Sequence, residues 1–252
     1  MNRLLRNSLA ILVFLALWEI LPEVHFVDPV FLPPFSSVLA ALGSLAASGV
    51  LFKDIWASLV RALTGFGLAV VVGVPLGLLV GWYKGVETFL DPLLQMFRQT
   101  SALALFPVFM LLFGIGEVSK TAIIFWGCLW PILINTISGV KTVEPLLIKL
   151  ARSLVASPTK LFFKVILPGA SPAIFTGFRL SATIAIVMLT AAEMMGANEG
   201  IGYLVLYSQQ VFQIANLYAA IITIGVLGLL FNFILVKLEK RSHFWREDVS
   251  PE

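Results

Sequence analysis

Apolar residues run along this chain in long blocks separated by short charged breaks, without the strict alternation of a strand. A membrane-crossing helix needs about 20 mostly apolar residues, because the hydrocarbon core is about 30 Å thick and each helical residue rises about 1.5 Å. Six blocks meet that length, at about 7–23, 60–83, 89–114, 120–140, 171–195 and 217–237. The second is uncharged from Ala62 to Tyr83 and the fourth from Thr121 to Val140, whereas the first contains Glu19 and the fifth Arg179. Blocks this long without alternation set aside β-barrel spans. The expected fold is all-α: a polytopic membrane protein with six transmembrane helices. Arg3 and Arg6 precede the first block as in a secretory signal, but the next residues, LPEVHF, offer no small-residue cleavage site. The block is therefore read as a retained span.

The connections divide the chain further. Residues 1–24 form the first span. Residues 25–59 form a long outer segment with a candidate interfacial helix near 36–48. Residues 60–240 form a core of five spans with an inner loop at 141–168, and 241–252 form a tail. The last outer segment, GANEGIGYLVLYSQQVFQIANLY, is too apolar for a solvated loop and is expected to fold back against the spans. Orientation follows from Lys and Arg. With six spans, fourteen of the seventeen fall on one side: Arg3, Arg6, Lys84, Arg98, Lys141, Lys149, Arg152, Lys160, Lys164, Arg179, Lys237, Lys240, Arg241 and Arg246. Only Lys53, Arg61 and Lys120 fall on the other. Both termini are thus expected in the cytoplasm.

Composition narrows the class. Apolar residues make up 59% and charged residues 12% of the 252 positions, against about 45–50% and about 25% in soluble domains. With a mean hydropathy of +0.98, this is an integral membrane protein rather than a soluble, disordered, collagen-like or disulfide-stapled chain. The single cysteine, Cys128, lies in an apolar run. The net charge of +3 reflects where the inner loops lie, so the expected surface partner is membrane lipid and not nucleic acid. His25 and His243 have no metal-ligand spacing, and no Ser-His-Asp or Cys-His constellation is present, so neither a catalytic residue nor a metal site is expected. The glycines of GFGLAVVVGVPLGLLVG, 65–81, suit close helix packing, and the six tryptophans suit interface anchoring or packing.

The segment KTVEPLLIKLARSLVASPTKLFFKVILPGASPAIF, 141–175, carries the most specific pattern. A chain with short loops has no need of a 30-residue inner insert. Pro145 suits a first helical turn, where a missing N–H costs little. Leu146, Leu147, Leu150 and Leu154 recur at helical spacing, with Lys149 and Arg152 on other faces. Ser157 and Pro158 suit the N-cap and first position of a second helix, with Leu161, Phe162, Val165 and Ile166 as its stripe. Pro168 is expected to end that helix and Pro172 to open the next span. By pattern alone, a loop lying on lipid headgroups fits as well as a structured hairpin.

These residues resemble the cytoplasmic "EAA" loop of ABC-importer permeases, whose pattern is Glu-Ala-Ala, three residues, Gly, nine residues, then Ile-x-Leu-Pro. Here the matching positions are Lys149-Leu150-Ala151, Val155 and Val165-Ile166-Leu167-Pro168, with the spacing intact. Lys149, Leu150 and Val155 depart from the pattern, and Val155 replaces the glycine that eases the turn between two short helices. LPPFSSV, LFGIGEVSK, WPILINTISGVKTVEP, KVILPGASPAIFTGFRL and AAEMMGANEGIGYL extend the likeness over about 30–240, toward the nitrate/taurine/aliphatic-sulfonate branch. That branch also serves pyrimidine, flavin and aromatic-acid uptake, so the likeness is poor at naming a substrate.

The resemblance implies a type I ABC-importer permease fold with a cytoplasmic coupling-helix loop, in the cell (inner) membrane. It implies a path for a small solute, such as nitrate, taurine or an alkanesulfonate. It implies an ATPase-coupling site at Lys149, Leu150, Ala151, Arg152, Ser153, Leu154, Val155, Ala156, Ser157, Leu167 and Pro168. The chain has no G-x-x-x-x-G-K-[ST] loop and is expected to bind no cofactor of its own, ATP-Mg being held by a partner. The implied partners are two cytoplasmic ABC ATPase subunits, a second permease copy as a homodimer, and an extracytoplasmic substrate-binding protein. The opposing reading is a self-sufficient secondary carrier or channel, which needs ion-coupling carboxylates within its spans.

Charges inside the spans are the candidate pathway residues. Along a straight third span, Arg98 lies roughly 15 Å deep, beside Gln99, Thr100 and Ser101, and Arg179 lies at similar depth in the fifth. A central Arg costs about 2.5–3.5 kcal/mol on insertion scales and so faces protein or water. Two readings stand for each: a counter-charge for a passing anion, or a structural role through Asp91, backbone carbonyls or snorkelling. Glu193, at the outer end of the fifth span, either helps hold an outer gate or is a solvated helix end.

Overall fold

A computed structural model of the chain describes residues 3–155 and 157–242. Ala156 of the inner loop and the end of the expected tail, with His243 and Arg246, lie outside the described residues. No strand occurs among the described residues. The helices are α1 (Arg3–Glu23), α2 (Phe35–Ala47), α3 (Val50–Trp82), α4 (Lys84–Arg98), α5 (Ala102–Phe113), α6 (Glu117–Lys141), α7 (Pro145–Ser153), α8 (Pro158–Leu161), α9 (Leu167–Gly196), α10 (Ile201–Gln210) and α11 (Ile214–Ser242). A π-helical turn, Phe162–Ile166, joins α8 to α9.

Among the described residues, four helical stretches are long and apolar enough to cross a membrane: Val50–Trp82, Glu117–Lys141, Pro158–Gly196 and Ile214–Arg241. The pair α4–α5 makes a fifth if taken as one span, although its halves are bent by 94°. That measure gives four or five spans where the apolar blocks gave six; α1 overlays the first block. The third expected span is therefore not a straight helix, and the 15 Å depth of Arg98 does not hold. The bend falls at Gln99-Thr100-Ser101. The Thr100 N–H turns back to the Phe97 carbonyl at 3.1 Å, its hydroxyl bonds the Met96 carbonyl at 3.2 Å, and Ser101 is extended. Short polar side chains that bond their own backbone compete with the helical ladder in this way.

The expected stop at Pro168 and start at Pro172 are also corrected, because one continuous helical stretch runs from Pro158 to Gly196. Proline removes an N–H and leaves a carbonyl one turn back without its donor. The π-turn widens the helix just before Pro168, and the Leu167 N–H bonds the Phe162 carbonyl there. At Pro172 the stranded carbonyl is that of Pro168, and the Ser171 hydroxyl supplies a donor at 2.8 Å. α3 likewise begins at Val50, ten residues before the second expected span.

The chain divides into two compact units. One comprises Met1–Leu59 and Glu193–Val226, the other Val60–Ala192 and Leu227–Glu252. In the first unit the outer segment is pinned by polar contacts. Pro34 precedes α2 and has no side-chain donor or acceptor to cap it; Glu19 takes the Ser36 N–H at 2.9 Å and its hydroxyl at 2.7 Å instead. The Trp18 indole N–H donates to the Pro33 carbonyl at 3.1 Å, and the Tyr218 hydroxyl donates to the Phe31 carbonyl at 3.2 Å. Trp18 and Tyr218 meet edge to face.

In the second unit, α3, α6 and α9 pack by glycine, as the 65–81 stripe predicted. A Cβ on Gly65 would lie 2.6 Å from Ile124, one on Gly77 2.6 Å from Thr136, and one on Gly81 2.8 Å from Val140. On α9, a Cβ on Gly177 would lie 3.0 Å from the Pro131 carbonyl oxygen. Lipid tails are as apolar as the side chains, so close van der Waals contact replaces the hydrophobic effect as the driving force between spans. Gly77→Leu should lower the thermal midpoint in detergent, at a cost of about 1–3 kcal/mol for overpacking. Gly67→Leu, where nothing lies within 4 Å, should leave the midpoint unchanged; equal effects would remove the packing argument.

Candidate functional site

The 141–168 segment opens with the two helix starts its residues predicted, although the second piece runs on into α9. Pro145 opens α7 behind Glu144, and Ser157 caps α8 by accepting the Lys160 N–H at 3.4 Å, with Pro158 first in the helix. α7 has no buried residue. Its apolar stripe of Leu146, Leu147, Leu150 and Leu154 is exposed, and so are Lys149, Arg152, Ser153, Val155 and Ser157; Ala151 and Leu167 are half-buried and Pro168 is exposed. The hairpin is anchored below by Val140, Val143, Ile166, Ala170 and Ile174, which form a buried cluster. Between α7 and α8, Val155 adopts φ +54°. That left-handed backbone costs a branched side chain roughly 1–3 kcal/mol.

The α4–α5 break brings Arg98, Gln99, Thr100 and Ser101 together, and all four are exposed. Arg98 donates to the Gln95 amide oxygen at 2.8 Å rather than pairing with Asp91. The break is held to α6 by an aromatic cluster. Phe97 stacks on Trp130 and meets Trp126 edge to face, and Phe109 also meets Trp126. Arg179, half-buried on α9, pairs with Glu239 of α11 at 3.3 Å, and its guanidinium lies 3.4 Å from the Thr176 hydroxyl. Arg179 thus has a charged partner, whereas the hydrogen bond of Arg98 goes to a neutral amide.

Glu193 is not a solvated helix end; it is 1% exposed. Its carboxylate accepts from the Ser58 hydroxyl at 2.8 and 2.9 Å and from the Gly202 N–H at 2.8 Å. Ser58 in turn accepts the Ile201 N–H at 2.9 Å, and Asp54 takes the Gly200 N–H at 2.9 Å. The first N–H groups of a helix have no partner within it. Here Asp54, Ser58 and Glu193 supply those partners for α10, and Gly200, at φ +119°, turns the chain into position. The apolar last outer segment thus does fold back: Ile201, Leu204 and Val205 of α10 are buried.

The sequence pattern does not single out Asp54 and Ser58, and it places Arg61 and Lys120 only as charges at the outer ends of their spans. Arg61 is buried and bonds both oxygens of Glu117, at 2.5 and 2.9 Å, while Lys120, also buried, reaches the same carboxylate at 2.9 Å. The signal was present: positions 54, 58 and 61 recur at the spacing of one helix face, a polar stripe that a 20-residue apolar window passes over. Among the described residues no group of acidic, His or Cys side chains could hold a metal ion.

Residues 73–243 match the family model of binding-protein-dependent transport system inner membrane components. Over 242 residues the chain is 33% identical to the taurine transport system permease protein TauC of Escherichia coli (strain K12), covering 94% of this chain and 88% of TauC. It is 34% identical over 242 residues to the bicarbonate transport system permease protein CmpB of Synechocystis sp., covering 91% of this chain and 85% of CmpB. Its fold is similar to that of a chain in the inward-facing MetNI methionine ABC transporter. The TM-score is 0.67 at 16% identity, covering 78% of this chain and 98% of that one.

Glu193→Ala should strand the buried Ser58 hydroxyl and Gly202 N–H, each unsatisfied group costing about 1–3 kcal/mol. The purified variant should therefore melt several degrees lower, and Ser58→Ala should do so by a smaller amount. An unchanged melting curve for Glu193→Ala would contradict the network.

Proposed function

The chain belongs to the binding-protein-dependent transport system inner membrane components, and from that premise we propose that it is the membrane-spanning permease subunit of an ATP-driven importer. Its cargo in this reading is a small anion of the nitrate, taurine or alkanesulfonate kind. A partner holds ATP-Mg, since the chain has no phosphate-cradling glycine loop of the G-x-x-x-x-G-K-[ST] type. Two cytoplasmic ATPase subunits, a second permease copy in a C2 homodimer and an extracytoplasmic binding protein complete the assembly. In this reading the spans number six with α1 included, and both termini lie in the cytoplasm, an orientation that the Lys and Arg distribution supports.

The observation that carries this reading is the α7–α8 hairpin. An exposed apolar stripe on a short helix fits helix-in-groove recognition by a partner. Closure of the ATPase pair moves the hairpin, and the attached spans rock between inward- and outward-open states. Coupling requires that the ATPase contact the two states differently. The α4–α5 break lies along the path. Non-helical backbone at membrane depth is tolerated where protein or a water-filled cavity surrounds it, and Arg98 at the break supplies charge for an anion. A self-sufficient carrier would need an intramembrane carboxylate for ion coupling, and Glu193, the most deeply buried one, is spent on the α10 backbone.

Deleting 150–157 should abolish co-purification with the ATPase encoded alongside while leaving membrane insertion intact; an unchanged complex would refute the docking role. In proteoliposomes holding permease, ATPase and binding protein, Arg98→Gln should slow anion uptake on the order of tenfold. That is the loss expected when one charge-assisted hydrogen bond of about 1.5–3 kcal/mol disappears. Normal uptake kinetics would return Arg98 to a structural role.

A further inference from the structure

We propose that the indole N–H groups of Trp126 and Trp130 are the neutral donors of an oxyanion-binding station in the translocation path, and that Phe97 is the ring that covers them while the α4–α5 pair is bent. The station presupposes the proposed anion path at that break and adds the groups that recognise the cargo there.

Trp126 and Trp130 lie one turn apart near the middle of the 25-residue α6, so both side chains leave the helix on one face. Both indole nitrogens are buried, and neither has a hydrogen-bond partner. An indole N–H can only donate. A buried donor without an acceptor bears its full desolvation cost, and at mid-span no bulk water relieves it. Neighbouring ring faces are weak acceptors at most; the two indoles meet edge to face with centroids 5.1 Å apart. Packing alone would be served by phenylalanine, which carries no such cost. Two unpartnered donors one turn apart suit an acceptor that arrives from outside the chain.

Phe97 ties these donors to the break. Its ring stacks on Trp130 at 6.1 Å and meets Trp126 edge to face at 5.6 Å. It is the penultimate residue of α4, beside Arg98. From the other half of the pair, Phe109 of α5 meets Trp126 at 6.3 Å. Both halves, bent by 94°, thus rest on the same two tryptophans. A change in the bend separates Phe97 from the indoles and bares their N–H groups near Arg98.

The chemistry selects the ligand. No acid lies among these rings or in Arg98–Ser101, so a cation finds no carboxylate there. A sulfonate or nitrate carries several acceptor oxygens, enough for two N–H donors and a guanidinium. Neutral donors also suit a station that must let go, because conduction requires binding weak enough to leave.

The test uses the full-length permease in nanodiscs, and in proteoliposomes with its ATPase and binding protein, offered methanesulfonate, taurine or nitrate. Trp126→Phe combined with Trp130→Phe keeps the ring faces, which a bound ammonium would use, and removes both donors. This double variant should melt no lower than the parent, since two unsatisfied groups are gone. Its maximal ATP-dependent uptake should fall about tenfold, the loss expected for two neutral hydrogen bonds, with half-saturation unchanged because the binding protein sets it. Benzothienylalanine at position 130, an indole shape without the N–H, should slow uptake about threefold. Parent-rate uptake by either variant overturns the proposal, and so does a lowered melting point of the double variant, which would mark the indoles as packing. With the other four tryptophans replaced by phenylalanine, acrylamide should quench the remaining fluorescence more strongly once the ATPase is locked by a non-hydrolysable nucleotide; equal quenching in both states overturns the covering role of Phe97. If the parent takes up none of the three solutes, the anion-importer reading itself fails; if the parent transports and the double variant keeps pace, only the station fails.

Discussion

A backbone amide in hydrocarbon has no water to turn to, and each one left unpaired costs several kcal/mol. That constraint organises this chain. The spans are helices because a helix satisfies its own N–H and C=O groups. Wherever the sequence breaks a helix, a local partner is supplied. Ser171 takes over the carbonyl that Pro172 strands, and the π-turn prepares the helix for Pro168. Asp54, Ser58 and Glu193 take the first N–H groups of α10, and Glu19 takes the Ser36 N–H in the first turn of α2. Each of these is a polar residue within or beside an apolar run, and each is engaged.

At two places the backbone is bonded locally but the side chains are left exposed. At the α4–α5 break, Arg98 and its polar neighbours are exposed and held by neutral partners only. At the α7–α8 hairpin, an apolar stripe is exposed, and among the described residues Lys149, Arg152, Lys160 and Lys164 form no salt bridge. In the proposed assembly these are the two surfaces that meet something else: the solute and the motor. In that reading, irregularities whose side chains are engaged hold the fold, and those whose side chains are exposed meet partners.

Much of this was legible in the residues. Glycine spacing over 65–81 announced close packing, since only glycine admits Ile124 and Thr136 at such short range. Pro145 and Ser157-Pro158 announced the hairpin, because both are start signals that leave little freedom in where a helix begins. The loop spacing and the flanking segments pointed to the permease family to which the chain belongs. What was not legible depended on partners distant in sequence. Glu193 looks like any acidic residue at a helix end until Ser58 and Gly202 are brought to it. Arg61 looks like a charge at the outer end of a span until Glu117 is beside it. Pro168 looks like a stop, because a π-turn that absorbs it leaves no mark in composition.

The account is tested most directly by hydrogen–deuterium exchange of the permease in nanodiscs, with and without its ATPase locked by a non-hydrolysable nucleotide. The α7–α8 hairpin, Leu146 to Lys160, should gain protection on complex formation, while the buried α10 start around Gly200–Gly202 should be protected in both states. Unchanged exchange across the hairpin, with new protection confined to other segments, would contradict the claim that this is where the motor takes hold.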